Sequence, residues 1–486
     1  MRKFFLLFVI FLQQISFAAN FNYYIVSSKG DGNYSNVQAA IDACPDNVRS
    51  YIFIKNGTYY GQTTIGSKAA SSLKLITLIG ENKDSVILTF DKSLNSDGVT
   101  SFEQATTFQI YAKNFYAENI TFQNSAGNTG QALALYTAGD MSIFKNCYIT
   151  GYQDTYRSKK GTRGYILNCL VEGAVDFIYA GGTLIFDDCI INCTRSGGFI
   201  TAPEDAYATV PKTSTATGIF LRLGFVFRNC TIQGPESVSA NSFYLGRPWN
   251  DYAGTAYLNC KLSNQVSTAG WSTMGSSTYL TACFVEYNSM DLSGVPVDTT
   301  KRVSWSKQLK KSDVDNFLSP EAFYAKNYST TFDPVSLCVA LAAPTEVSIN
   351  GNMLKWTAVN GAVCYMVYFN DNFIGVTENL EFDISGLSGI FKIKALSDLG
   401  VLSDFSTPVT GIKNIQSELP DFSLVNQVLV FKSEMASAEI FDLTGKKLLS
   451  KNNFSTLNLK QFSNNILLVQ TVDYAGNVKE FKLKVH

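Results

Sequence analysis

Two glutamines and two aspartates recur at a spacing that could build an acid–base and oxyanion-binding site. Gln131 and Gln153 are 22 residues apart, as are Asp154 and Asp176. If the chain repeats with this period, each pair lies one repeat apart, with backbones about 5 Å from each other. Two carboxylates at such a distance do not both ionise freely, so one can serve as an acid while the other remains an anionic nucleophile. Stacked glutamine amides could donate hydrogen bonds to a developing oxyanion.

A purely structural ladder of polar side chains is the alternative interpretation of the same spacing. The glutamine pair in register with the aspartate pair favours a functional site. Arg247 could keep one aspartate ionised through a charge-assisted hydrogen bond, and Trp249 could stack on a sugar ring. Arginine and tryptophan are also common on surfaces, so their spacing alone does not decide these two roles.

A sequence motif recurs in which a turn residue precedes a cysteine and a short apolar run. This repeat predicts the fold that would position the polar residues. It occurs at Asn146-Cys147, Asn168-Cys169, Asp188-Cys189, Asn229-Cys230 and Asn259-Cys260, and Asn124 is assigned to the same phase. Short strand-forming runs at a period near 22 indicate a solenoid, and the pattern of leucine-rich repeats is missing. We therefore predict a parallel β-helix in which the cysteines stack inward, mostly as free thiols, because stacked β-carbons are too far apart for a bridge.

The amino-acid composition further restricts the kinds of catalysis and partner that the chain can have. The chain has 486 residues, enough for two to four domains, and a net charge of −1, which gives no general attraction for nucleic acid. Its single histidine is His486, the last residue. Ser-His-Asp catalysis, Cys-His catalysis and histidine-ligated zinc are therefore disfavoured, and acid–base chemistry falls to carboxylates, lysine, tyrosine or cysteine.

The N-terminus is typical of an export signal. Arg2 and Lys3 precede the apolar run from Phe4 to Leu12, and Ser16-Phe17-Ala18 resembles a cleavage site. Nine apolar residues are too few to cross a bilayer of about 30 Å. We predict that residues 1–19 are removed and that the mature chain has no transmembrane segment.

The remaining chain divides into a solenoid and two smaller parts. Residues 20–335 are predicted to form the β-helix, with a capping helix at Val37 to Ala43 and a covering segment with short helices at 301–335. Residues 343–412 resemble a fibronectin type III β-sandwich. The predicted class is all-β: a parallel β-helix followed by two small β-sandwich-like modules.

Residues 413–486 resemble the C-terminal sorting domain of the bacterial type IX secretion system. The resemblance is carried by Ala438 to Lys446 and by Lys482 to Val485, whereas the usual Gly-Ile-Tyr is replaced by Asn465-Ile466-Leu467. A second, purely structural module is the alternative. The resemblance implies a secreted or surface-attached protein of a Gram-negative bacterium that engages the secretion machinery.

Four segments resemble, in the same order, the signature segments of pectin methylesterases. They are Gly130-Gln131-Ala132-Leu133, Tyr152-Gln153-Asp154-Thr155, Asp176-Phe177-Ile178 and Leu245-Gly246-Arg247-Pro248-Trp249, and the resemblance runs from about Asn20 to Tyr328. It implies a right-handed parallel β-helix that removes methyl groups from methyl-esterified homogalacturonan. It also implies that no metal or organic cofactor is needed, and we expect a monomer.

Position by position, the resemblance assigns roles to the polar residues. It makes Asp176 the nucleophile and Asp154 the general acid and then base. Gln131 and Gln153 resemble the oxyanion donors, and Arg247 resembles the residue that orients Asp176.

The resemblance also assigns substrate contacts and shows departures. Trp249 and Trp271 resemble sugar-stacking residues in the cleft. The family's phenylalanine-glycine after Asp-Phe-Ile is Tyr179-Ala180 here, its Leu-Tyr after Gln-Asp-Thr is Tyr156-Arg157, and its early glutamate is Gly61. These departures bear on subsite shape and methylation-pattern preference.

Two other functions remain open on the sequence. A β-helix pectate lyase or polygalacturonase-type enzyme would cut the chain, by elimination or through two carboxylates across the glycosidic bond. A non-catalytic polysaccharide-binding surface protein would bind pectin without releasing methanol.

Overall fold

The computed structural model describes residues 22–68, 73–205, 223–275, 278–314, 319–411, 422–476 and 478–485. The predicted signal peptide at 1–19 and the histidine at 486 lie outside these ranges. Within them, no helix combines the length and the hydropathy required to cross a bilayer.

Three parallel sheets wind around one core, as the repeat predicted, and they form a right-handed β-helix. Among the described residues, the first sheet has eleven strands: Asn22–Val26, Arg49–Ile54, Leu75–Gly80, Tyr116–Glu118, Ser142–Lys145, Arg163–Leu167, Thr183–Asp187, Phe225–Arg228, Gly254–Leu258, Cys283–Tyr287 and Lys307–Gln308. The second has nine: Gly57–Tyr60, Val86–Phe90, Thr121–Asn124, Tyr148–Thr150, Leu170–Gly173, Ile190–Cys193, Thr231–Gln233, Lys261–Leu262 and Met290–Asp291. The third, named the site sheet below, has seven: Thr63–Ile65, Thr106–Ile110, Leu133–Thr137, Tyr156–Ser158, Val175–Ala180, Phe199–Pro203 and Tyr244–Gly246.

An aromatic column fills the centre of the solenoid. Its members are buried and contact one another from turn to turn: Phe108, Phe122, Phe144, Tyr156, Phe186, Phe227 and Tyr257. Burying each such side chain contributes on the order of 1.5–3 kcal/mol, and offset or edge-to-face contacts add to this. The column makes the stack of turns a rigid support for the site sheet.

The repeated Asn-Cys phrase marks a corner between the first and second sheets. Asn146, Asn168 and Asn229 adopt left-handed backbone conformations, with φ of 48°, 52° and 54°. Asparagine tolerates this region because its short polar side chain can hydrogen-bond locally. The amide of Asn146 donates to the side-chain oxygen of Asn119 on the preceding turn, at 2.7 Å.

The assignment of Asn124 to this phase is wrong. The residue stacked under Asn146 is Asn119, which also has a positive φ of 62°, so this turn is 27 residues long rather than 22. The five extra residues lie between Asn119 and Gln131, in the loop that leads to the site sheet. The 22-residue spacing of Gln131 and Gln153 therefore reflects true stacking on successive turns. The equal spacing of Asn124 and Asn146 is a coincidence.

The cysteines that follow the corner asparagines stack as predicted. The sulfur of Cys169 accepts a hydrogen bond from the backbone of Cys147 at 3.2 Å, and that of Cys189 accepts one from Cys169 at 3.4 Å. All ten cysteines are buried, and none of them forms a disulfide. They therefore act as small apolar residues of the core.

A helix caps the first turn of the solenoid, and short helices cover the outer face of its first sheet. The predicted capping helix is Val37–Ala43, and the side chain of Asn36 caps it by accepting from the backbone of Ala39. Short helices at Lys311–Val314, Pro320–Asn327 and Pro334–Leu337 form the predicted covering segment. Single 3₁₀ turns are described at Phe102–Ala105, Thr278–Leu280 and Lys460–Phe462.

Two antiparallel sheets follow the solenoid. One contains Ser348–Asn350, Met353–Lys355 and Glu381–Asp383, and the other contains Cys364–Phe369, Asn372–Thr377, Gly389–Leu396 and Val409–Gly411. This part packs on the outer face of the first sheet, where Phe373 contacts Phe53 and the hydroxyl of Tyr51 donates to the carbonyl of Asp398 at 2.6 Å. The docked part therefore lies on a different face from the site sheet.

The C-terminal part is a single antiparallel sheet. Its strands are Phe422–Val425, Val428–Phe441, Lys447–Asn458, Ile466–Val472 and Val478–Lys484. Leu429, Ile440 and Val469 belong to its own buried core. The fold class of the described chain is all-β, as predicted.

A buried ion pair joins the covering segment to the last long strand of the solenoid. The guanidinium of Arg302 contacts both carboxylate oxygens of Glu286 at 2.8 and 3.1 Å, and the Glu286 side chain has no exposed surface. Removing one partner leaves the other charge buried without compensation. The pair therefore ties the covering segment in place.

We expect Glu286→Gln to lower the free energy of unfolding by about 3–5 kcal/mol, because Arg302 would lose its buried counter-charge. Urea denaturation followed by tryptophan fluorescence measures the change. Glu381→Gln is the matched control, since the pair of Glu381 with Lys355 is 47% and 45% exposed and should contribute about 1 kcal/mol or less. Equal destabilisation by both substitutions would contradict the assignment.

Candidate active site

The predicted register of the four polar residues is confirmed. Gln131 forms a bridge with Gln153, and Gln153 forms one with Val175, so these positions stack on successive turns. Asp154 and Asp176 each follow one residue later, and the backbone of Asp154 donates to the carbonyl of Val175 at 3.1 Å. The site sheet therefore brings the two amides and the two carboxylates to one wall.

Both aspartates occupy backbone conformations that turn them out of a regular strand. Asp154 has a φ of 63° and Asp176 a φ of 49°. Asp176 lies in a bulge of Val175–Ala180, where the register against Phe199–Pro203 shifts between Val175 and Ile178. A bulge redirects a side chain locally, and aspartate tolerates the left-handed region better than most residues.

Arg247 holds the Asp176 carboxylate in a fixed orientation. Its Nε and Nη2 atoms donate to Oδ1 and Oδ2 at 2.8 and 2.7 Å, and its guanidinium carbon lies 3.8 Å above the centre of the Phe199 ring. Gly246 lets its strand pair closely with Phe199–Pro203, because a β-carbon there would lie 2.0 Å from the hydroxyl of Thr201. Asp176 is 6% exposed, so this bidentate pair is largely withdrawn from water.

Asp154 has the opposite electrostatic environment. It is 7% exposed and makes no ion pair with a described residue. Its pKa is raised to about 8: burial is the largest cause, the neighbouring charge of Asp176 acts in the same direction, and the charges of Arg157 and Arg247 oppose both. Asp154 is therefore a neutral carboxylic acid at pH 7, beside an aspartate that is paired with arginine.

The two glutamine side chains complete the polar wall. Gln131 and Gln153 are partly exposed, and neither side-chain amide makes a hydrogen bond to the described part of the chain. Their donors are therefore available to a bound molecule. Acyl transfer needs such donors beside a nucleophile.

The two tryptophans expected to stack on sugar have different environments. Trp249 is 39% exposed and contacts the edge of the Tyr179 ring, with centroids 5.9 Å apart. Trp271 is 1% exposed and packs in the solenoid core against Tyr257 and Phe284. Because a fully buried ring offers no face to a sugar, the structure does not support the stacking role expected of Trp271.

Arg157 and Tyr179 extend the same wall, although the sequence analysis did not assign them to the site. The guanidinium carbon of Arg157 lies 5.0, 5.1 and 5.9 Å from the ring centres of Tyr136, Phe102 and Tyr179. Their outward direction could have been deduced from strand alternation, because buried Tyr156 precedes Arg157 and buried Ile178 precedes Tyr179.

No metal centre is evident in the described ranges, where no group of three or more histidine, cysteine or acidic side chains converges. The site consists of an arginine-paired aspartate, a neutral aspartic acid and two free amides. Such a set can attack an ester carbonyl, stabilise the oxyanion and protonate a leaving group without a metal.

Comparison with known proteins gives a consistent result. A family model described as Pectinesterase matches residues 23–326. A "Probable pectinesterase/pectinesterase inhibitor" of Brassica napus is 31% identical over 311 residues, which cover 61% of this chain and 51% of that protein. "Putative pectinesterase 11" of Arabidopsis thaliana is 31% identical over 307 residues, covering 62% and 79%. The chain thus spans about half the length of the first of these relatives.

Solved structures agree in fold. The pectin methylesterase from carrot matches with a TM-score of 0.55 and 29% identity, over 62% of this chain and 92% of that one. The pectin methylesterase from Yersinia enterocolitica matches with a TM-score of 0.50 and 26% identity, over 61% and 100%.

The raised pKa of Asp154 predicts how stability changes with pH. The native state holds a proton on Asp154 up to about pH 8, whereas the unfolded chain releases it near the ordinary value of 3.8. This group's contribution is therefore fully present at low pH and is lost as pH rises toward 8. We expect the unfolding free energy of the wild type to fall relative to Asp154→Asn by up to about 1.4 kcal/mol per pH unit between pH 5 and 7.

Urea denaturation of both proteins at several pH values measures this difference. Asp188→Asn is the control, because Asp188 also has a positive φ but lies exposed at a corner. Parallel stability curves for wild type and Asp154→Asn would show that Asp154 is not protonated in the native state.

Proposed function

Because this chain belongs to the pectinesterase family, we propose that it hydrolyses the methyl esters of galacturonate units in pectin, releasing methanol. The observation that carries the proposal is the contrast between the two stacked aspartates. Asp176 is fixed by two hydrogen bonds from Arg247, and Asp154 has a pKa raised to about 8. One group is thus suited to attack and the other to donate a proton.

The first half-reaction makes an acyl-enzyme. An Asp176 oxygen attacks the C6 carbonyl carbon of a methylated galacturonate, and the amides of Gln131 and Gln153 donate to the resulting oxyanion. As the tetrahedral intermediate collapses, Asp154 gives its proton to the methoxy oxygen and methanol leaves. The product is an anhydride between Asp176 and the sugar acid.

The second half-reaction restores the site. Asp154, now a carboxylate, removes a proton from water as the water attacks the anhydride carbonyl. The galacturonic acid is released, Asp176 recovers its negative charge beside Arg247, and Asp154 is again protonated. The mechanism requires only protein side chains and water.

Substrate binding is proposed to use the exposed ring of Trp249 beside the two aspartates. Its indole contacts Tyr179, which lies three residues after Asp176 on the same strand. Arg247 has a second role here, because its stacking on Phe199 keeps the guanidinium at the floor of the site. Trp271 is not part of this proposal.

We also propose identities for the accessory parts and a route of export. Residues 1–19 are proposed as a signal peptide, 343–412 as a fibronectin type III-like module and 413–486 as a type IX sorting-like domain. The antiparallel sheets described after the solenoid support the two modules. The mature protein is proposed to be a secreted or surface-attached monomer that acts on methyl-esterified homogalacturonan.

We expect Asp176→Asn to abolish methanol release from highly methylated pectin, because an amide can neither attack the ester nor pair with Arg247 as an anion. Asp188→Asn, a substitution of the same kind at an exposed corner one turn further on, should retain wild-type activity. Methanol is quantified alongside reducing ends and absorbance of unsaturated products. Chain cleavage in place of methanol release would favour a hydrolase or a lyase, and pectin binding without any product would favour a surface adhesin.

The activity should fall with increasing pH once Asp154 loses its proton. We expect kcat/KM for methanol release to decrease about tenfold per pH unit above pH 8, since the acid form is needed to protonate the leaving group. Asp176→Asn measured in parallel corrects for base-catalysed ester hydrolysis. A rate that stays constant to pH 10 would remove the general-acid role from Asp154.

A further inference from the structure

Two strands of the first sheet, Arg49–Ile54 and Leu75–Gly80, are buried on both of their faces. Their inward side chains belong to the core of the solenoid. Tyr51, Phe53 and Ile79 alternate with these and face the outside of the solenoid, and they are buried as well. A strand with one solvated face alternates apolar and polar residues, so a continuous apolar run indicates that the outer face is also covered.

Residues 343–411, called the docked module below, supply this cover. Met366, Phe373 and Leu396 of the docked module share one buried apolar cluster with Tyr51 and Phe53 of the solenoid. The ring centres of Phe53 and Phe373 are 5.8 Å apart. Two domains of one chain are expected to move relative to each other unless their interface is large and hydrophobic. The shared apolar cluster therefore favours a fixed arrangement of the two parts.

Two carboxylates of the solenoid accept hydrogen bonds from the backbone of the docked module. Oε1 of Glu81 accepts from the N–H of Phe373 at 2.6 Å, and Oε2 of Glu118 accepts from the N–H of Leu402 at 3.2 Å. Glu118 is buried and is also paired with Lys145 at 3.1 Å. Leaving a buried polar group without its partner is unfavourable, so these bonds favour one orientation of the docked module on the sheet.

The two parts approach each other most closely at Gly400. The hydroxyl of Thr77 donates to the carbonyl of Leu399 at 2.6 Å, and a β-carbon on Gly400 would lie 2.2 Å from the methyl carbon of Thr77. Gly400 also has a φ of 112°, in a region that favours glycine. A side chain at this position would push the docked module away from the sheet.

We propose that the outer face of the first sheet is a specific docking surface for this chain's own residues 343–411, and that the docked module braces the first turns of the solenoid. It is thus a structural part of the solenoid rather than a binding unit on a flexible tether. The strand Tyr116–Glu118 opens the turn that carries Gln131, so the brace also supports a turn of the site. The matched family model ends at residue 326, before the docked module. The inference does not depend on the proposed activity.

Cleavage of the chain between the two parts tests the docking. The recognition sequence of a specific protease is inserted into the full chain between Val339 and Ala340, which are both exposed. After cleavage we expect the two fragments to elute together in size-exclusion chromatography, because the interface needs no covalent link. In Gly400→Ala the Kd between the fragments, measured by dilution, should increase about 10–100-fold, as for overpacking of a filled contact.

Gly386→Ala is the matched control for this substitution. Gly386 also lies in the docked module and has a positive φ, of 79°, but a β-carbon there would meet no atom within 4 Å. The control therefore introduces backbone strain without a clash against the solenoid. Its fragments should remain associated with the Kd of the wild type.

The stability of the solenoid provides an independent readout. Three of the four tryptophans lie in the solenoid, at Trp249, Trp271 and Trp305. The fourth, Trp356, lies in the docked module, so in a Trp356→Phe background tryptophan fluorescence reports unfolding of the solenoid alone. We expect Gly400→Ala to lower the urea midpoint of this signal and Gly386→Ala to leave it unchanged, because only the first substitution disturbs the docking.

Two results would each overturn the brace. One is separate elution of the wild-type fragments at micromolar concentration after cleavage. The other is a urea midpoint of the solenoid that is the same in Gly400→Ala and Gly386→Ala.

Discussion

Parallel stacking of successive turns is the constraint on which the site depends. Residues at equivalent positions of neighbouring turns must lie about one strand spacing apart, whatever their charge. Asp154 and Asp176 are therefore held side by side in a nearly water-free wall, although two carboxylates would separate if they were free to do so. The backbone register compels the proximity, and the bidentate bond from Arg247 decides which aspartate carries the charge.

This arrangement is energetically unfavourable by itself, and the rest of the solenoid stabilises it. A neutral Asp154 and a paired Asp176 are both more than nine-tenths buried, and both adopt left-handed backbone conformations. The aromatic column beneath the site sheet resists relaxation, because any shift of one turn would disturb its ring contacts above and below. Rigidity of the core thus maintains an electrostatic arrangement that a loop could not hold.

The outward-facing row of Tyr136, Arg157 and Tyr179 is placed differently from the two aspartates and two glutamines. The aspartates and glutamines lie at the entry to the strands, whereas Tyr136, Arg157 and Tyr179 lie within them. Alternation along a strand turns such residues outward, so one sheet displays two parallel rows of side chains. The antiparallel part at 343–411 packs on a different face, around Tyr51 and Phe53, which leaves the site sheet uncovered by it.

The sequence by itself determined the repeat, the fold class and the partners of each polar residue one turn away. These follow from period and residue type, because a parallel stack converts a constant spacing into spatial adjacency. Irregular turns limit this reasoning: Asn124 had the right interval but the wrong position, since five extra residues lie between Asn119 and Gln131.

Only the tertiary structure decided which groups meet across large separations in the chain. Arg247 reaches Asp176 from 71 residues away; the family resemblance implied this pair, but no local pattern in the sequence encodes it. The burial of Trp271 and the ring-stacked state of Arg157 likewise depend on neighbours from several turns. Burial and the proximity of other charges are properties of the assembled surroundings, and the raised pKa of Asp154 follows from its burial and from the neighbouring charge of Asp176.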